Sequence, residues 1–412
     1  MTHAHPQPAA DLLSQQAPRA AADPRPASVV PASDGFIGLA ALTLAWLVVM
    51  ALRPPVLLAT WIVLLATALP MLWCELRRVP AGAGGERSGS TPLTWLAGFL
   101  IATAPFLLVH GQHADLIVWL LAWVVIAPAF VVRLGLEARR NGRVAGGFPA
   151  ELGRALLPFD RTRLRALAAP ARLWALKAFF IPLYAGSLYA LLTLALANPL
   201  DAPIAWLGLA VTFAYTIDLS FGLSGYLMAS NSLLPTIRST QTRFSGWLVC
   251  LVCYGPVMSH WPAFEAVVLE EISWPRLLTG NPLLLAGAAA MLVLLGLYVW
   301  ATVCFGLRFC NLTNRGLISH GPYRLMKHPA YFAHTANAWI ITFVFMPAAG
   351  IALGPSQLLV PLAFTLLYWL RSVTEEQHLR EDSDYAGYAA WIDRNGLVAR
   401  ARRRFGWQPP PR

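Results

Sequence analysis

The chain has 412 residues, 57% of them hydrophobic and 12% charged, with a formal net charge of +11. Soluble domains carry about 25% charged residues, so this composition excludes an ordinary water-soluble enzyme and places most of the chain in lipid. The basic residues follow the apolar runs and form no separate basic domain, which argues against a nucleic-acid partner and makes the charge a report on membrane topology.

Residues 1–34 are rich in Ala and Pro without apolar periodicity and read as a disordered tail. No basic stretch leads directly into an apolar run there, so the segment is not a signal peptide by its pattern. Apolar runs of roughly the 20 residues needed to cross about 30 Å of hydrocarbon then follow. Their approximate bounds are 36–52, 55–74, 93–110, 115–133, 173–197, 203–221, 244–260, 283–307, 331–352 and 355–371. The expected fold is therefore an all-α integral membrane protein of about ten transmembrane helices. Three parts are expected: the tail 1–34, a membrane bundle 35–281 and a second membrane domain 282–412 ending in a helix outside the bilayer.

The connection between Arg133 and Lys177 carries Arg139, Arg140, Arg143, Arg154, Arg161, Arg163, Arg165 and Arg172 with few acids. The opposite loops are NPLDAP and a stretch holding Glu265, Glu270 and Glu271. Basic loops stay in the cytoplasm, which puts both termini there and suits a bacterial inner membrane. No internal repeat of the transporter kind is present.

The five cysteines fall in or beside apolar runs and read as buried thiols; Cys250 and Cys253 form a CxxC without a redox or second-ligand context. His110 and His113 lack a third ligand, so no metal site is expected. Asp218, near the cytoplasmic end of the sixth run, is an ionisable residue in a membrane segment, either functional or a helix-end acid paired with a basic loop residue, with Asn231 and Arg238 at the same face. His334 and Asn337 share a helix face inside the ninth run, where they either touch a substrate or pair with neighbouring helices.

Polar residues concentrate near the carboxy terminus, in SHGPYRLMKHPAY (319–331) and TEEQHLRE (374–381). Two helices of about 20 residues travel about 30 Å out and back, so the hairpin between them returns Arg371, Glu375 and Glu376 to the face that Lys327 and His328 leave. Pro329 suits the first turn of the ninth helix, whose free amides favour an anionic group. Adjacent glutamates at a membrane edge suit an ammonium, a sulfonium or a ribose. Taken singly, these residues also fit interfacial anchors and a solvated helix face.

GPYRLMKHPAY, followed by TEEQHLRE and DYAGYAAW, resembles the carboxy-terminal signature of the isoprenylcysteine carboxyl methyltransferase and phospholipid methyltransferase superfamily over about 80 residues. Lys327 stands where the family has Arg, and Ala333 where it has Gly. The resemblance implies a membrane enzyme that takes S-adenosylmethionine from the cytosol and a lipidic or prenylated acceptor from the bilayer. It implies that Lys327, His328, Pro329 and Tyr331 line the cofactor pocket, with Gly321, Tyr323 and Arg324 in its access loop. Glu375 and Glu376 would contact the cofactor or orient the acceptor, and Arg371 would hold an anionic acceptor group; Asp218, His334 and Asn337 are the substrate-side candidates. The acceptor is a carboxylate, a thiol or an amine, and an amine would need a base such as Glu375 or Glu376. The late His-Pro-x-Tyr and acidic helix also resemble sterol reductases, which use NADPH; a transporter or lipid-binding scaffold is the non-enzymatic reading.

Overall fold

A computed structural model describes residues 25–78, positions 136 and 139, and residues 147–156, 161–197, 203–229, 236–254 and 281–406. About four-fifths of these are helical. In chain order they form α1 (Ala32–Leu52), α2 (Val56–Arg78), α3 (Gly147–Leu156), α4 (Arg161–Ala166), α5 (Ala168–Ala197) and α6 (Pro203–Met228). The second part comprises α7 (Phe244–Val252), α8 (Pro282–Phe305), α9 (Pro329–Ile340), α10 (Pro355–Leu379), α11 (Ser383–Asn395) and α12 (Leu397–Arg404). Two short segments, β1 (Ser239–Thr240) and β2 (Thr313–Asn314), pair antiparallel with Ser239 opposite Asn314.

Six of the described helices (α1, α2, α5, α6, α8 and α10) are long and apolar enough to cross a membrane. They coincide with six of the expected spans. The runs 93–110 and 115–133, His110, His113 and Asn231 lie outside the described residues. The run 331–352 is not one regular helix: α9 passes into a π-helical turn, Ile341–Phe345, and a last turn, Met346–Ala348. The tail boundary at residue 34 falls inside the first turn of α1, because Arg25–Pro31 lies against the 316–320 loop. There Val29 N donates to Leu317 O at 2.9 Å and Ser319 Oγ to Pro26 O at 2.6 Å.

Local chemistry sets the helix ends. Arg53 takes a left-handed conformation (φ 45°) before Pro54 and Pro55, which cannot continue α1. Asn281 caps α8 by accepting from Leu283 N at 2.9 Å, with Pro282 next to it. Thr212, Thr216, Ser220 and Ser224 repeat every fourth residue and are all buried, so the polar face of α6 turns inward. α6 accordingly packs on α5, α8 and α2. A small residue lets α1 approach α8: a Cβ on Gly35 would lie 1.9 Å from Val303 O.

One core joins α1, α2, α5, α6, α7 and the end of α8, so the boundary drawn at 281/282 divides helices that share their packing. One end of this bundle is strongly basic. Arg78 pairs with Asp34, and Arg308 holds Glu75 through two bonds of 2.9 and 3.1 Å. Buried Arg315 donates to Leu307 O at 2.6 Å, Gly225 O at 3.1 Å and Thr236 Oγ1 at 3.0 Å, fixing the loop that follows α8. Burial pushes the Arg315 guanidinium down to about 10, so it remains charged at neutral pH. The same end receives α11 and α12: Tyr388 donates to Tyr323 O at 2.7 Å, and Leu397 N to Leu325 O at 2.8 Å.

Candidate functional site

The α9–α10 hairpin closes at the basic end. Pro329 occupies the first turn of α9, so His328 and Lys327 sit just before the helix. α10 ends at Leu379, which places Glu375 and Glu376 in its last two turns beside them. Consecutive residues on a helix diverge by about 100°, and the two glutamates accordingly take different partners.

Glu376 faces the loop. It accepts from Lys327 Nζ at 3.0 Å and Arg380 at 2.8 Å, and lies 3.2 Å from His328 Nε2. Lys327 is also 2.9 Å from Asp393 on α11. Glu375 faces inward and receives the Tyr331 hydroxyl. The His328 ring stacks on Tyr331 with centroids 5.0 Å apart and planes at 3°. Glu375, Tyr331, His328, Lys327 and Pro329 line a cavity of about 580 Å³, a size that suits a small-molecule ligand.

Arg371 is buried in the same wall, one helical turn from Glu375. It donates to Asn311 Oδ1 at 2.9 Å and Tyr254 OH at 3.2 Å, and its guanidinium lies 5.0 Å from the Tyr331 ring centre. Its partners are neutral, so a ligand anion would find the charge uncompensated. Of the other cations around the cavity, Arg308 is paired with Glu75 and Lys327 with Glu376 and Asp393, whereas Arg315, like Arg371, donates to neutral groups, in its case carbonyls and Thr236.

The cavity continues away from the basic end. α6 runs past the apolar stretch to Met228, so Asp218 lies about 15 Å along the helix from that terminus and not at its edge. Asp218 is buried, accepts from Thr302 Oγ1 at 2.8 Å and bonds the Tyr298 hydroxyl. Tyr298 and His334 meet edge to face at 4.6 Å, His334 stacks on Tyr368 at 5.3 Å, and Tyr368 lies 5.4 Å from Tyr331. An aromatic wall thus joins the Asp218 end to the Glu375 end. Asn337 lines the cavity too, and its Oδ1 has no partner among the described residues.

Not every expected residue reaches the cavity. Tyr323 does, and burial raises its phenol well above the usual range. Arg324 is exposed, and Gly321 (φ 58°) makes the turn that seats the loop on Trp300 and Cys304. Sequence reasoning passed over Tyr254, Tyr298, Asn311 and Tyr368. Tyr298 and Tyr368 carried a usable signal, as polar-tipped rings inside apolar runs; Tyr254 and Asn311 become site residues only through the fold.

Beside the cavity, burial would raise the Asp382 carboxyl. Bonds from Arg238 at 2.7 Å and Asn314 at 2.8 Å outweigh it and hold the group below its ordinary value. This contact ties α11 to the β1–β2 pair. Comparison of the chain with family models, curated proteins and solved structures finds no match.

Proposed function

We propose that this chain is an integral membrane S-adenosylmethionine-dependent methyltransferase acting on a lipidic acceptor. The observation that carries this reading is the Glu375–Tyr331 pair, with His328 stacked on the tyrosine, at one end of an aromatic cavity among membrane helices. When bound, S-adenosylmethionine supplies a methyl group activated by a sulfonium.

The residues present fit such a ligand. Aromatic rings attract a sulfonium as they attract other onium groups, and Tyr331, Tyr254 and His328 line the cavity. Glu375 is an acceptor for hydroxyl or ammonium donors, and Arg371 is positioned for a carboxylate. Glu376 acts at one remove, holding Lys327 and His328 in place. A cavity walled by packed aromatic and apolar side chains lets the protein align the reactants, and alignment supplies much of the acceleration of an in-line displacement.

Arrangement in about ten spans, with the basic end and both termini in the cytosol of a bacterial inner membrane, completes the proposal and gives the cavity a cytosolic approach for the donor. A sterol-reductase-type use of NADPH fits less well, because the phosphates of a dinucleotide call for several cations and two of the four at the cavity, Arg308 and Lys327, are already paired with carboxylates. The test is transfer of a labelled methyl group from S-adenosylmethionine to a lipid extract by the purified protein. Label should appear in an organic-soluble product, and no incorporation by protein that binds the donor would defeat the reading.

A further inference from the structure

We propose that α12 is an interfacial helix that docks on anionic lipids of the leaflet at the basic end, and that this contact steadies the loop 321–327 on the cavity wall. It stands apart from the methyltransferase reading, because it concerns a surface and not the ligand of the cavity. α12 (LVARARRR) has four arginines, no acid and no buried residue. At 100° per residue, Leu397, Ala401, Val398 and Phe405 fall within one arc of about 100°. All four are exposed, Phe405 by 82%. Arg402 and Arg404 flank that arc. Arg400 and Arg403 lie on the opposite face, where they donate to Asn395 O and Arg394 O at 2.8 Å each and tie the helix to the end of α11. An apolar arc edged by arginines suits a lipid headgroup layer, with the apolar side chains at the acyl boundary and the guanidiniums on phosphates.

The depth of the helix agrees. A Cβ on Gly321 would lie 2.4 Å from Cys304 Sγ and 3.1 Å from Trp300 Nε1, so the loop is level with the last two turns of α8, a helix of membrane length. Trp300 is exposed there, where an interfacial ring belongs. Leu325 follows in the same loop, and its carbonyl accepts from Leu397 N at 2.8 Å. α12 therefore starts at the bilayer edge. The partners of Arg400 and Arg403 are carbonyls, so their charge is not neutralised within the protein, and anionic headgroups supply what is missing. A nucleic acid would use the arginines and leave the apolar arc in water; a second copy of α12 would meet like charge. Short links carry the contact to the cavity: Asp393 lies 2.9 Å from Lys327, and Tyr388 donates to Tyr323 O at 2.7 Å. Tyr323 and Lys327 both line it.

Hydrogen exchange of the full-length protein in nanodiscs, read by mass spectrometry, tests this. One disc is phosphatidylcholine alone, and the other carries about 30% phosphatidylglycerol to set a negative surface potential. Amides of 397–405 should exchange at least about fivefold more slowly in the anionic disc, and those of 321–327 at least about twofold more slowly. Arg402→Gln with Arg404→Gln should abolish both margins, and so should Val398→Ser with Phe405→Ser; all four positions are exposed, so the bundle core is untouched. Equal exchange in the two discs overturns the proposal without any variant. A margin that survives in either double variant overturns it too. Equal slowing on adding inorganic phosphate to the phosphatidylcholine disc would mark a free-anion site and also overturn it. Slowing confined to 397–405 overturns the link to the loop.

Discussion

Replacing Glu375 and Glu376 one at a time by glutamine should separate binding from stability. Glu376 has three charged or chargeable partners at 2.8 to 3.2 Å, and its side chain is 19% exposed. Arg380 is 43% exposed, so its pair is largely screened, whereas Lys327 and His328 are each 16% exposed. Lys327 would keep Asp393. A cost of about 1–2 kcal/mol follows for Glu376→Gln, between the values for exposed and buried pairs. Glu375→Gln preserves size and still accepts from Tyr331, so it should cost less than about 0.5 kcal/mol in stability. It removes the negative charge facing the cavity, and S-adenosylmethionine binding should weaken at least about tenfold, equivalent to about 1.4 kcal/mol. Thermal unfolding in detergent, followed by tryptophan fluorescence, reads the first quantity, and equilibrium binding of labelled S-adenosylmethionine reads the second. The opposite pattern, with Glu376→Gln abolishing binding at unchanged stability while Glu375→Gln binds normally, would refute the assignment.

Arg371→Lys keeps the charge but loses the planar fork that reaches Asn311 and Tyr254 together; donor affinity should fall about tenfold in the same binding assay. Gly35→Ala would put a Cβ 1.9 Å from Val303 O and push α1 from α8, costing about 1–3 kcal/mol in thermal unfolding. The Asp382 carboxyl is held below its ordinary value of about 3.9, so its contribution is fully present above that pH and is lost as pH falls through the lower folded value. An acid titration of stability should therefore show a shallower loss below about pH 4 in Asp382→Asn than in the unsubstituted protein.

The return of the glutamate-bearing end of α10 to Lys327 and His328 was legible in the sequence, because two apolar runs of membrane length joined by a short turn must return to the side they left. Which glutamate faces inward was not: that depends on the rotation of α10, set by the packing of Phe364 and Tyr368, and no hydropathy pattern records it. The depth of Asp218 was hidden for a related reason. The expected run ends at 221, but the helix continues to Met228 with Ser220 and Ser224 buried on its inward face. The ordering of Arg25–Pro31 has no periodic signal, because it comes from hydrogen bonds to a loop nearly 300 positions away. Arg315 is the internal tie of the loop after α8, through hydrogen bonds to a carbonyl and a hydroxyl that no sequence pattern records.

The most direct measurement is equilibrium binding of labelled S-adenosylmethionine and of NADPH to the detergent-purified full-length protein, with Glu375→Gln in parallel. The methyltransferase reading requires saturable binding of S-adenosylmethionine, weakened by the substitution, and no saturable binding of NADPH. Saturable binding of NADPH without binding of S-adenosylmethionine would contradict it.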